Sequence, residues 1–210
     1  MGSTLAVAVN VYQEPRRQIE ECLSRIARNL STAAVTVFLN GRQRREVECV
    51  AEPHGFRVIE GENLGTNVTW SLWWLRVLRF FREANADVCF KFDPDTMVDA
   101  SPKAIPSADY FGTVWLSRRY RIPFIQGGVT GLSRRAVCNL LDSSLLALEV
   151  PGASVVTEEC QSLADDQYMA MALAKLGIRP TAWTECCSQW RTPVANGSNK
   201  FAIVHPRYYS

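Results

Sequence analysis

Short β-branched apolar runs alternate along this chain with segments whose apolar residues recur at helical spacing, and this alternation restricts it to folds built from strand-helix-strand units. Leu5-Ala-Val-Ala-Val-Asn10 is the first run. Residues 15–29 follow, with Ile19, Cys22, Leu23 and Ile26 on one helical stripe, and 34–39 is strand-like again before the Asn40-Gly41 stop. The pattern continues with a helix over 42–52, a strand over 56–59, a loop at 61–65 and a long helix over 66–85. Trp70, Trp73, Trp74, Val77, Leu78 and Phe81 share one face of that helix. A buried-type strand over 87–92 then runs directly into Asp93-Pro-Asp95. Further strands are expected over 109–116, 122–125 and 201–204, helices over 133–141 and 163–176, and a loop over 143–161. The class is therefore α/β, with a mostly parallel central sheet covered by helices on both faces. Ligands of such sheets bind beyond the carboxyl ends of the strands.

Length and charge narrow the function classes. At 210 residues the chain is expected to form one domain, 1–210. A hydrophobic content of 47% against 21% charged residues excludes a disordered or fibrous chain. The net charge of +2 is too small for a field that would select nucleic acid. The apolar stretch over 70–81 is broken by Arg76 and Arg79 and is shorter than the ~20 residues of a membrane span. The amino end lacks a basic leader region. Seven cysteines without a Cys-x-x-Cys pair read as thiols, which favours a cytoplasmic location. Cys186-Cys187 reads as two partly buried thiols, because adjacent residues bridge only with strain.

Four places can carry chemistry. Asp93 and Asp95, one residue apart in extended chain, face the same side and can both meet one cation, although a solvated turn would look the same. Pro94 stiffens the turn. Gln126-Gly-Gly128 followed by Gly131 reads as a glycine-rich loop opening a helix, either for close substrate approach or for a turn with positive φ. Asp165-Asp166 opens the next helix. That position suits the macrodipole, and it equally suits a general base. His205, one of only 2 histidines, is held extended by Pro206 and is either a ligand or a satisfied structural residue.

Taken in order, these pieces resemble a glycosyltransferase of the GT-A fold, the class that uses nucleotide sugars. Val7-Ala-Val-Asn-Val-Tyr-Gln-Glu14 resembles the first strand and turn that hold the nucleoside. Lys91-Phe-Asp-Pro-Asp-Thr-Met-Val98 resembles the Lys-Val-Asp-Asp-Asp-Thr-Phe-Val segment of Fringe-like and β-1,3-galactosyltransferase-like enzymes. Glu62-Asn-Leu-Gly65 resembles a loop of bacterial inverting enzymes. The stretch from Phe124 through Gly127 and Gly128 to Val137 is similar to the acceptor-side loop and helix. Asp165-Asp-Gln-Tyr168 stands where that class has Glu-Asp-Val-Tyr, and His205 where it has a late metal-binding histidine.

The resemblance implies a single GT-A domain, Rossmann-like, with the nucleotide-sugar-binding half over 1–99 and the acceptor-side half over 100–210. It implies Mn²⁺ or Mg²⁺ held by Asp95, Asp93 and His205, and a donor site including Asn10, Tyr12, Glu14, Asn63, Asp93, Gly127 and Gly128. Asp166 would be the base of an inverting transfer from a nucleoside-diphosphate sugar to a carbohydrate or other hydroxyl-bearing acceptor. Two departures stand out. The middle aspartate of the triplet is Pro94, and Asp165 replaces the commoner glutamate, so the proton acceptor stays open between Asp165 and Asp166. Two other readings remain beside this one: a haloacid-dehalogenase-type phosphatase built on Phe92-Asp-Pro-Asp-Thr96, and a nucleotide-sugar binding module without turnover. The broad aromatic face beginning at Trp70 leaves room for a peripheral membrane or dimer contact, and the segments 143–161 and 184–200 are the expected acceptor loops.

Overall fold

A computed structural model describes residues 3–41, 43–60, 70–118, 120–146, 165–188 and 200–205; the side chains of Trp70, Ser71, Leu72 and Asp165 lie outside this set. The first half is the expected alternation: β1 (Leu5–Val11), α1 (Arg16–Asn29), β2 (Ala34–Leu39), α2 (Arg44–Ala51), β3 (Arg57–Glu60), α3 (Trp70–Glu83) and β4 (Val88–Phe92). β5 (Met97–Val98) closes that half, and the second contains β6 (Tyr110–Leu116), β7 (Pro123–Ser133), α4 (Arg134–Asp142), α5 (Asp165–Lys175), β8 (Thr181–Ala182), β9 (Cys186–Ser188) and β10 (Ile203–His205).

Seven strands form one sheet in the order β3-β2-β1-β4-β7-β6-β8. Strands β3, β2, β1 and β4 run parallel, as helical crossovers require. β7 is antiparallel to both β4 and β6, and β8 is parallel to β6, so the sheet is mixed, with four of its parallel strands on the amino-terminal side. Helices cover both faces. One core joins the sheet to α3, α4 and α5 through Trp73, Trp74, Phe81, Val137 and Leu173. The other joins it to α1 and α2 through Ile19, Leu23, Val47, Phe90 and Phe92. Phe90 stacks on Trp183 with ring centroids 5.5 Å apart, which fastens the start of the β9 segment to the second core. At α4 the Ser133 hydroxyl accepts from the Ala136 amide at 3.1 Å and caps the helix.

Two features depart from the sequence reading. The glycine-rich stretch at 126–131 is the middle of the eleven-residue strand β7, and the helix begins only after Ser133. Positive φ among the described glycines occurs at Gly55, Gly112 and Gly177, and not at Gly127, Gly128 or Gly131. Close packing explains Gly128 and Gly131 instead. A Cβ at Gly131 would overlap the Phe111 ring, and one at Gly128 would overlap the His205 imidazole. The second departure is a small sheet of order β5-β10-β9, whose two- and three-residue strands are too short to show any periodicity. It closes over the carboxyl end of β4. The expected loops at 61–65 and 184–200 lie largely or wholly outside the described residues, as does 147–161 of the expected loop at 143–161.

Candidate cation site

The chain leaves β4 at Phe92 and turns at once. The Thr96 amide donates to the Asp93 carbonyl at 2.9 Å, closing a turn that holds Pro94 and Asp95, and β5 follows. β10 pairs antiparallel with β5 through Val204 and Met97, so His205 falls one step further along, over the turn. Three ligand atoms from Asp93, Asp95 and His205 lie within 4.8 Å of one another. His205 Nε2 is 3.0 Å from Asp95 Oδ1 and 3.8 Å from Asp93 Oδ2. Two carboxylates and an imidazole are a donor set suited to a divalent cation with room for oxygen ligands from a substrate. The spatial convergence expected of Asp93, Asp95 and His205 is therefore present.

What holds these three groups was not apparent from sequence. β10 also pairs with β9 in the register His205 to Ser188. The fully buried Ser188 hydroxyl lies 2.9 Å from His205 Nδ1. A hydroxyl that accepts from Nδ1–H leaves Nε2 as the lone-pair nitrogen, turned toward the carboxylates. Ser188 is itself fixed, because its amide donates to Thr113 Oγ1 at 2.8 Å and its carbonyl accepts from Trp115 Nε1 at 3.3 Å.

Below the carboxylates, Lys91 is only 2% exposed. Its ammonium sits 2.6 Å from Asp93 Oδ1, donates to the Gly127 carbonyl at 2.7 Å and lies 5.6 Å from the Trp73 ring centroid. Alternation along β4 puts Lys91 and Asp93 on one face, away from Phe90 and Phe92. Gly128 contributes its carbonyl, which accepts from the Asp93 amide at 3.1 Å and from Thr96 Oγ1 at 2.8 Å.

Asp166, at the start of α5, is buried and reaches the same glycines. Its Oδ2 accepts from the Gly127 amide at 3.2 Å and its Oδ1 from the Gln167 amide at 2.7 Å. Asp165 occupies the first helical position, with its side chain outside the described set. Of the residues expected around a donor, Asn10, Tyr12 and Glu14 lie in and just beyond β1. The Asn40 side-chain amide donates to Asn10 Oδ1, and Gly41 packs so tightly on the Tyr12 carbonyl that no side chain fits there. Burial pushes the Glu14 carboxyl above its usual range, the Asp93 and Asp95 charges push the same way, and the Tyr12 amide, donating to it at 2.6 Å, opposes them. Asn63 falls outside the described residues.

The six described cysteines are free. Burial pushes the Cys186 thiol up to about 12, so it is an inert packing group at neutral pH. No helix among the described residues is long and apolar enough to cross a membrane. No family model and no curated protein matches the chain.

Proposed function

We propose that the chain is a divalent-cation-dependent glycosyltransferase acting on a nucleoside-diphosphate sugar. One observation carries this reading: Asp93, Asp95 and His205 converge beyond the carboxyl end of β4, and a buried Asp166 is tied to the same glycine pair. Open α/β sheets place their ligands at that end. Asp93, Asp95 and His205 would hold Mn²⁺ or Mg²⁺, which when bound neutralises charge growing on a diphosphate leaving group.

The protein's own groups supply the rest. The Asp166 carboxylate removes the proton of an acceptor hydroxyl, and that oxygen forms a bond to the anomeric carbon. The bond from that carbon to the diphosphate oxygen breaks, its electron pair leaves with the nucleoside diphosphate, and Asp166 later returns its proton to water. A positioned base contributes ~10²–10⁴-fold to such a step. Direct displacement inverts the anomeric centre. Asn10, at the end of β1, and Tyr12 and Glu14 just beyond it are the donor-side contacts in this reading, with acceptor choice assigned to the second half of the chain.

The test is a panel of nucleoside diphosphates with and without Mn²⁺, read by thermal unfolding and followed by product analysis with the matching sugar nucleotides. A ligand at a hundredfold excess over Kd raises apparent stability by about 2.7 kcal/mol. The expected result is Mn²⁺-dependent stabilisation by at least one diphosphate, with release of that diphosphate from its sugar conjugate. Binding without turnover on any acceptor would make the chain a binding module. Release of phosphate from p-nitrophenyl phosphate without a sugar nucleotide would make it a phosphatase.

A further inference from the structure

Lys91 is the most unusual buried group in the molecule. An ammonium in a protein core is tolerated only when paired and hydrogen-bonded, and an aliphatic side chain would fill the same place at lower cost. Two of its polar partners belong to different parts of the site: Asp93 Oδ1 at 2.6 Å on the cation side, and the Gly127 carbonyl at 2.7 Å on β7. The register leaves 126–128 between the stretch of β7 paired to β4 and the stretch paired to the far end of β6, where the ladder shifts. Gly127 therefore directs its amide at Asp166, 3.2 Å away, and its carbonyl at Lys91. Lys91 and one backbone residue, Gly127, stand between the two carboxylates.

We propose that Lys91 is a positioning residue that sets the cation-binding carboxylate and the base carboxylate in one frame, gripping Asp93 directly and Asp166 through Gly127. The proposal rests on the glycosyl-transfer reading above. Holding Asp93 by Oδ1 turns Oδ2 toward His205, the arrangement seen at 3.8 Å. Holding Gly127 by its carbonyl fixes the direction of the amide that orients Asp166. A displacement of ~1 Å between reacting groups can cost ~10²-fold in rate, so a frame of this kind matters to the chemistry.

The electrostatic and positioning roles of Lys91 have opposite signs. As a bare positive charge beside Asp93, Lys91 repels a cation, and Lys91→Met would tighten Mn²⁺ binding. As the group that orients Asp93, its loss weakens binding by ~10–100-fold, the usual effect of removing a partner of a metal ligand. The expected result for Lys91→Met is weaker Mn²⁺ binding by calorimetry and a turnover that stays at least ~10-fold down at saturating Mn²⁺ and donor. Unchanged or tighter Mn²⁺ binding, or turnover fully restored at saturation, overturns the proposal. A measurement on the unaltered protein covers a variant that fails to fold. On Mg²⁺ titration, the Asp93 and Asp166 carboxyl and Gly127 carbonyl carbon signals should move with one midpoint. Movement at Asp93 with Gly127 and Asp166 unmoved overturns it as well. If the unaltered protein binds neither ion, the functional reading fails first and the proposal with it.

Discussion

Gly128 and His205 occupy one another's space: the imidazole fills the volume that a Cβ on residue 128 would need, and Cγ, Nδ1 and Cδ2 of the ring would all overlap it. The strand β7 thus underlies the candidate cation site, and a bare backbone is required there.

Gly128→Ala is therefore expected to expel the His205 ring. Overpacking of this kind costs about 1–3 kcal/mol, and it should be accompanied by a loss of Mn²⁺ affinity larger than the loss of stability accounts for. Chemical denaturation and calorimetry on the same variant measure both. Gly55→Ala, at a glycine with φ +70 and open space around it, should strain the backbone and leave Mn²⁺ binding alone.

Ser188→Ala removes the hydroxyl that lies 2.9 Å from His205 Nδ1 and should weaken Mn²⁺ binding by ~10–100-fold while the fold persists. Calorimetric titration decides it. Affinity equal to that of the unaltered protein would mean that the backbone of β10 alone fixes the ring.

Two aspartate variants separate binding from chemistry. Asp95→Ala should abolish cation-dependent nucleotide binding, because it removes the carboxylate nearest His205 Nε2, at 3.0 Å. Asp166→Asn should keep that binding and lower transfer by ~10²–10⁴-fold. Near-normal transfer by Asp166→Asn would move the base elsewhere, with Asp165 first in line.

Acid stability should report the Asp109 pair. The hydrogen bond from Arg135 is the main cause that holds the Asp109 carboxyl below its usual range; partial burial opposes it, and Ser133 Oγ adds to the lowering. A depressed folded-state value contributes stability above the unfolded value of about 3.9, and this is lost as pH falls through the depressed value. The stability difference between the unaltered protein and Asp109→Asn should be full at pH 7 and shrink on acidification below about pH 4. Urea melts across that range measure it, and a difference that ignores pH would assign it to packing.

Much of the frame is legible in the linear pattern because periodicity records burial directly. Ile19, Cys22, Leu23 and Ile26 on α1, and the runs of β1, β2 and β4, fall where period and turn residues put them. The stretch 126–131 was not legible. Five of the six residues at 126–131 are glycine, glutamine or threonine and look like a loop, and the packing reasons for Gly128 and Gly131 come from His205 and Phe111, which are distant in sequence. Lys91 is equally silent: a lysine in a strand is ordinarily at an edge, and only the sheet order, with β4 between β1 and β7, shows it to be central. Ser188 is hidden for a third reason, since a three-residue strand has no period to read.

The small sheet makes the proposed cation site depend on order of synthesis. A nascent polypeptide that has emerged as far as β7 already carries both aspartates and the lysine beneath them, yet lacks the antiparallel neighbour of β5, the hydroxyl of β9 and the imidazole of β10. A polypeptide that stops short of residue 203 lacks β10 and with it the imidazole, one of the three groups on which the proposed cation site rests.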